Sequence, residues 1–97
     1  MTEFETLRRL LRWTIEGEYM AAIGFVLIKT QTGSEAVVRE ELEAIELVEG
    51  RWGIFGSFDV LVKVVADDEV ELTRCIMEQI RIINGVIDTR TLIGSRI

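Results

Sequence analysis

The alternation of apolar and polar positions predicts four strands along this chain. Residues 23–28 are apolar without a break, a pattern typical of a strand buried on both faces, and predict a first strand over 19–30. The stretches 47–55 and 58–66 are rich in valine, isoleucine and aromatic residues and flank a Gly-Ser pair, which predicts a hairpin. Residues 86–93 predict the last strand.

Two helices are predicted between these strands. The first begins at Ser34 as N-cap, with its buried side formed by Val38, Leu42 and Ile45, and with Glu35 and Arg39 spaced as an ion pair. The second begins at Asp68, which is spaced from Glu71 as a capping pair, and runs to about Ile83. Its buried side is predicted to be Leu72 or Thr73, then Ile76, Ile80 and Ile83.

A separate amphipathic helix is predicted over 2–16, so the chain divides into an N-terminal helical extension, 1–18, and a domain, 19–97. The domain's order, βαββαβ, predicts an α+β fold, the ferredoxin-like plait, with strands one and three in the centre of a four-stranded antiparallel sheet. Two helices cover only one face of such a sheet. We therefore expect a second copy of the chain to cover the other face, and expect Val62 or Val64 to face that copy.

The composition of the chain argues against several classes of protein. The 97 residues suffice for one domain of marginal stability, and a hydrophobic fraction of 48% favours burial against another subunit. No apolar run approaches the roughly 20 residues that a membrane helix needs, and charged residues fill the N-terminus where a secretory signal would be apolar, so a cytoplasmic location is expected. A net charge of −6 argues against direct binding of nucleic acid.

The chain contains no histidine and one cysteine, Cys75, so the common zinc, copper and haem sites are not expected and no cofactor is predicted. Cys75 lies in the middle of a predicted helix without an activating base, and we interpret it as a packing residue. Arg51 could bind an anion, but it stands in no motif.

The hairpin and the last strand carry the candidate chemistry. Asp59 follows the Gly56-Ser57 turn and could accept an ammonium group, while Thr89 and Thr91 place two hydroxyls on one face of a strand. Each feature also has a plainer interpretation. Asp59 could be a turn residue that bonds its own backbone, and threonine is simply common in strands.

The segments 53–64 (G-x-x-G-x-F-D, then alternating valines) and 85–91 (G-V-x-x-T-x-T), with the acidic helix start between them, resemble the effector-binding domain of the leucine-responsive and asparagine-regulatory (Lrp/AsnC) transcription factors. The resemblance covers about residues 21–93. It implies a plait that dimerises through its sheets, assembles further into rings, and binds amino acids between dimers. The ligand contacts it implies are Gly56, Ser57, Phe58, Asp59, Thr89 and Thr91.

Two departures from the family pattern matter. The family often has tyrosine where this chain has Phe58, and relatives carry a helix-turn-helix domain that one helix over 2–16 cannot supply. The sequence therefore predicts an amino-acid-responsive assembly module that acts with DNA-binding relatives. A small cofactor-free plait enzyme and a purely structural assembly partner remain as alternatives.

Overall fold

The computed structural model describes residues 21–94. The elements in chain order are β1 (Ala22–Thr30), α1 (Glu35–Glu43), β2 (Val48–Gly53), β3 (Val60–Ala66), α2 (Glu69–Cys75), a π-helical turn (Ile76–Ile80) that continues α2, and β4 (Val86–Ile93). The helix predicted over 2–16 and the extension 1–18 lie outside the described residues, as do the first positions of the predicted opening strand.

The four strands form one antiparallel sheet in the order β2-β3-β1-β4. This confirms the predicted α+β plait with strands one and three in the centre. The register pairs Val26 with Val62 on one side and with Thr91 on the other. The chain therefore brings the start of β3 and the start of β4 to the same end of the sheet, on either side of β1.

The two helix starts differ in how they are capped. Asp68 accepts a hydrogen bond from the Glu71 backbone N–H through Oδ1 at 2.8 Å, as the spacing of these residues predicts. Ser34 stands at the N-cap of α1 without a capping bond from its side chain. No ion pair joins Glu35 to Arg39 among the described residues.

The second helix is less regular than predicted, because its α-helical hydrogen bonding ends at Cys75 and gives way to the wider π turn. Its buried side is nevertheless the expected one: Leu72, Ile76, Ile80 and Ile83. Thr73 is exposed, which decides between the two residues proposed for the first buried position.

The even-numbered residues of β1 and β3 face the helices and form the core. Val26 and Ile28 on β1, with Val62 and Val64 on β3, are all 0% exposed and belong to one cluster with α1 and α2. The expectation that Val62 or Val64 faces a second copy is therefore wrong. Alternation along a strand is fixed at two residues, so the opposite face belongs to their odd-numbered neighbours.

We call that opposite side the open face. On the central strands it carries Phe25, Leu27 and Leu61, which are half-buried. Trp52 on β2 and Leu92 on β4 continue the same face by their register and are 50% and 55% exposed. Within the described residues, no helix lies against this row of apolar side chains.

Candidate functional site

The β2–β3 connection is a loop rather than the predicted two-residue turn. Strand β2 ends at Gly53 and β3 begins at Val60, and the Ile54 N–H donates to the Asp59 carbonyl at 3.0 Å to close the loop. Gly56 has φ +126°, a conformation that residues with a side chain rarely adopt. The loop tip is open to solvent, and Phe55 at its tip is fully exposed.

Asp59 is anchored at the end of this loop by three hydrogen bonds to β1. Its backbone N–H donates to the Ile28 carbonyl at 2.8 Å. Its Oδ2 accepts from the Thr30 backbone N–H at 2.8 Å and from the Thr30 hydroxyl at 3.2 Å. These bonds explain the long connection, because they attach Asp59 to β1 before β3 begins. Oδ2 is thus hydrogen-bonded within the chain, whereas Oδ1 has no partner among the described residues.

Phe58 and Asp59, adjacent in sequence, have separate surroundings. The guanidinium of Arg90 lies 5.8 Å from the centre of the Phe58 ring, in a cation–π contact. Arg90 pairs with Leu27 and so lies on the open face of β4. Phe58 therefore links the loop to the open face, whereas Asp59 bonds to Thr30, which belongs to the helix side.

Thr89 and Thr91 share one face of β4, as their parity predicts. They pair with Ile28 and Val26 and thus lie on the helix side, Thr89 half-buried and Thr91 exposed. Asp59 and the two threonines lie on opposite sides of β1, so they are separated by roughly two strand spacings, or about 10 Å. A single subunit therefore brings Gly56, Ser57, Phe58 and Asp59 together in one loop but holds the threonine pair apart from them.

A groove of about 960 Å³ lies between α1 and the β2–β3 hairpin, and Asp59 lines it. Its other lining residues are Gly33, Glu35, Ala36, Arg39, Leu42, Gly50, Arg51, Trp52, Gly53 and Val60. Arg51 forms an ion pair with Glu43. Neither the groove nor the place of Arg39 in it follows from the motifs, since both depend on how α1 packs against β2.

Two negative features narrow the chemistry of the described residues. Residues 21–94 contain no group of three or more acidic, cysteine or histidine side chains that could hold a metal ion. Burial, and secondarily the charge of Glu71, raise the pKa of the Cys75 thiol, which disfavours the thiolate that a nucleophile would need.

Within residues 21–94, no helix is both long and apolar enough to cross a membrane. The cytoplasmic location stays a prediction.

Comparison with known proteins gives a match over most of the chain. The family model of the Lrp/AsnC ligand binding domain matches residues 23–96. Among solved structures, FFRP-DM1 is 32% identical, with a TM-score of 0.73 over 76% of this chain and 99% of that one. A hypothetical protein from Pyrococcus horikoshii is likewise 32% identical, with a TM-score of 0.72 over 77% of this chain and 90% of that one.

More distant structures share the fold. AsnC from E. coli is 18% identical, with a TM-score of 0.73 over 96% of this chain and 68% of that one. A transcriptional regulator from Neisseria meningitidis in complex with L-Met is 14% identical, with a TM-score of 0.71 over 99% of this chain and 72% of that one. No curated protein sequence matches the chain.

Proposed function

The chain belongs to the family of Lrp/AsnC ligand-binding domains, and from that premise we propose that it is a regulatory module whose effector is a free amino acid. The observation that carries the proposal is the Asp59 carboxylate, in which only one of the two oxygens is hydrogen-bonded by a described residue. Thr30 holds one oxygen in place, and the other oxygen is left for an ammonium group. The solved complex of the Neisseria regulator with L-Met supports an amino acid as the ligand class.

We further propose that the module works as a dimer or a larger ring. Apart from the buried Val65, the open face presents half-buried and exposed apolar side chains on all four strands, and a second copy's sheet is the simplest cover for them. Assembly would also bring together the predicted ligand contacts that lie apart within one subunit. Thr89 and Thr91 of one subunit could approach the Gly56–Asp59 loop of another, which a single subunit does not permit.

We propose that ligand binding changes the assembly state of this module. That change would in turn alter the activity of the DNA-binding relatives with which it assembles. The acidic balance of the chain argues against a direct role on DNA. The cofactor-free enzyme is less well supported, because the family model describes a ligand-binding domain and the described residues include no thiol or histidine with lowered pKa.

A thermal-shift screen of the twenty amino acids, with the mass of the assembly measured in parallel, tests this function. A ligand at a hundred times its dissociation constant adds about 2.7 kcal/mol to the free energy of unfolding. We expect one chemical group of amino acids to raise Tm and the others to leave it unchanged. A flat response to all twenty would favour the structural assembly partner instead.

A further inference from the structure

The groove between α1 and the hairpin has a charge pattern that the family motif does not contain. Arg39 lines it from α1, and Asp59 lines it from the start of β3. The other arginine of the groove, Arg51, is neutralised by Glu43. Arg39 has no ion pair with any described residue, so the groove offers one cation and one carboxylate oxygen that no residue within 21–94 engages.

We propose that this groove binds the head group of the effector, with Arg39 receiving the carboxylate and Asp59 Oδ1 receiving the ammonium. The assignment rests on the proposed amino-acid function and adds a residue, Arg39, and a location to it. A guanidinium is suited to carboxylates, because its N–H groups can donate two parallel bonds to the two oxygens.

The remaining walls give the class of amino acid. Once the two charged groups are engaged, the side chains that α1 and β3 add to the lining are mainly apolar, namely Ala36, Leu42 and Val60, and glycines line much of the rest. The groove therefore fits an amino acid whose side chain is apolar.

Glu35 is the one lining residue that opposes this assignment. It stands four residues before Arg39 on α1, where its carboxylate can compete for the guanidinium and repel that of the ligand. The proposal thus gives opposite signs to two neighbours on one helix. Loss of charge at Arg39 weakens binding, and loss of charge at Glu35 leaves it unchanged or strengthens it.

Calorimetry with L-leucine and its two half-molecules tests the assignment group by group. Isopentylamine lacks the carboxylate, and 4-methylpentanoate lacks the ammonium. With wild type we expect leucine to bind at least tenfold more tightly than either. With Arg39→Gln, leucine should weaken about tenfold and lose its advantage over isopentylamine. With Asp59→Asn, leucine should lose its advantage over 4-methylpentanoate, since each variant removes one charge-assisted bond.

The controls separate this inference from the function on which it rests. Arg74→Gln on α2, outside the groove, should keep full affinity for leucine, and Glu35→Gln should bind leucine at least as tightly as wild type. The Tm of each variant shows that it is folded. Full affinity in Arg39→Gln would overturn the groove assignment, even with binding intact in wild type. Leucine failing to bind wild type, while a polar amino acid raises Tm in the screen, would overturn the apolar class alone. No binding by any amino acid would remove the proposed function itself.

Discussion

The two faces of the sheet carry side chains of the same kind but differ in how they are covered. Val26 and Val62 on the helix side are 0% exposed, whereas Leu27 and Leu61, each one position along, are half-buried. The residue types and the backbone are shared, so only the cover differs. Burial of the helix face stabilises the fold within one subunit. The apolar side chains of the open face can add their full stabilisation only when another surface covers them and excludes water.

The largest expected effect comes from a charge on the helix face. Val62→Asp would place a carboxylate without a partner in the centre of the core, at a cost of several kcal/mol. That is comparable with the whole stability of a small domain, which is about 5–15 kcal/mol. We expect circular dichroism to show no cooperative thermal transition. A variant that melts at the wild-type Tm would show that this face is not the core.

The same change one residue earlier should act on assembly instead. Leu61→Asp on the open face meets water in a lone subunit. In the proposed dimer each subunit loses about 1 kcal/mol of apolar burial, because Leu61 is already half-buried, and the two copies together weaken the dissociation constant roughly 30-fold. Sedimentation should show dissociation, with aggregation of the uncovered subunits. Thr73→Asp, on the exposed side of α2, is the matched control and should sediment as wild type. A wild type that is a stable folded monomer would contradict the proposed cover.

Adding one methyl group to each face compares how freely they adjust. At Gly24 a Cβ would lie 3.2 Å from Leu72 Cδ1 inside the closed core, so Gly24→Ala should destabilise by about 1–3 kcal/mol. At Gly50 a Cβ would lie 2.6 Å from Trp52 Cη2, which is closer, but the indole is half-exposed and can swing outward. Gly50→Ala should therefore destabilise by less than Gly24→Ala in denaturant titrations.

Trp52 emission provides an independent readout of that movement. In a Trp13→Phe background Trp52 is the only tryptophan. Gly50→Ala should shift its emission to longer wavelength, because the ring becomes more hydrated, and Gly24→Ala should not. Equal destabilisation with unchanged emission would mean that the open face is as rigid as the helix face.

The smallest effect is expected at Cys75, which is 1% exposed and belongs to the core cluster. Because the pKa of its thiol is raised, the native protein should react with Ellman's reagent at pH 8 only as fast as it unfolds. In denaturant, one thiol per chain should react at once. Rapid labelling of the native state would show that the helix cover opens readily.

Much of the fold was predictable because local patterns agreed with the final packing. The unbroken apolar run at 23–28 required a central strand, and Asp68 with Glu71 specified a capped helix start. The predictions that failed involve distant partners. The Gly-Ser pair fits a tight turn, but the bonds from Asp59 to Thr30, 29 positions earlier, hold the loop open. The face chosen for Val62 and Val64 depended likewise on where the helices lie.

The residues of the candidate site also differ in whether the sequence alone could identify them. Asp59 could be singled out from its motif, but neither interpretation offered for it foresaw that one of its oxygens is bonded to Thr30 on β1. Its role as a ligand contact stays a prediction. Arg39 could not be singled out. Along the sequence it is a helix residue four places after Glu35, and only the packing of α1 brings it to the groove that Asp59 also lines.

The sequence alone determined which residues can be buried and in what order the elements follow, because burial and hydrogen bonding act through periods of two and 3.6 residues that are written along the chain. The resemblance to the family could also be seen in the sequence, because it rests on the order and spacing of motif residues such as Gly56, Asp59 and the threonine pair. Only the tertiary structure decided which face the helices cover, which oxygen of Asp59 is committed, and which charges share a groove. Those outcomes depend on contacts between residues far apart in sequence, and no local period records them.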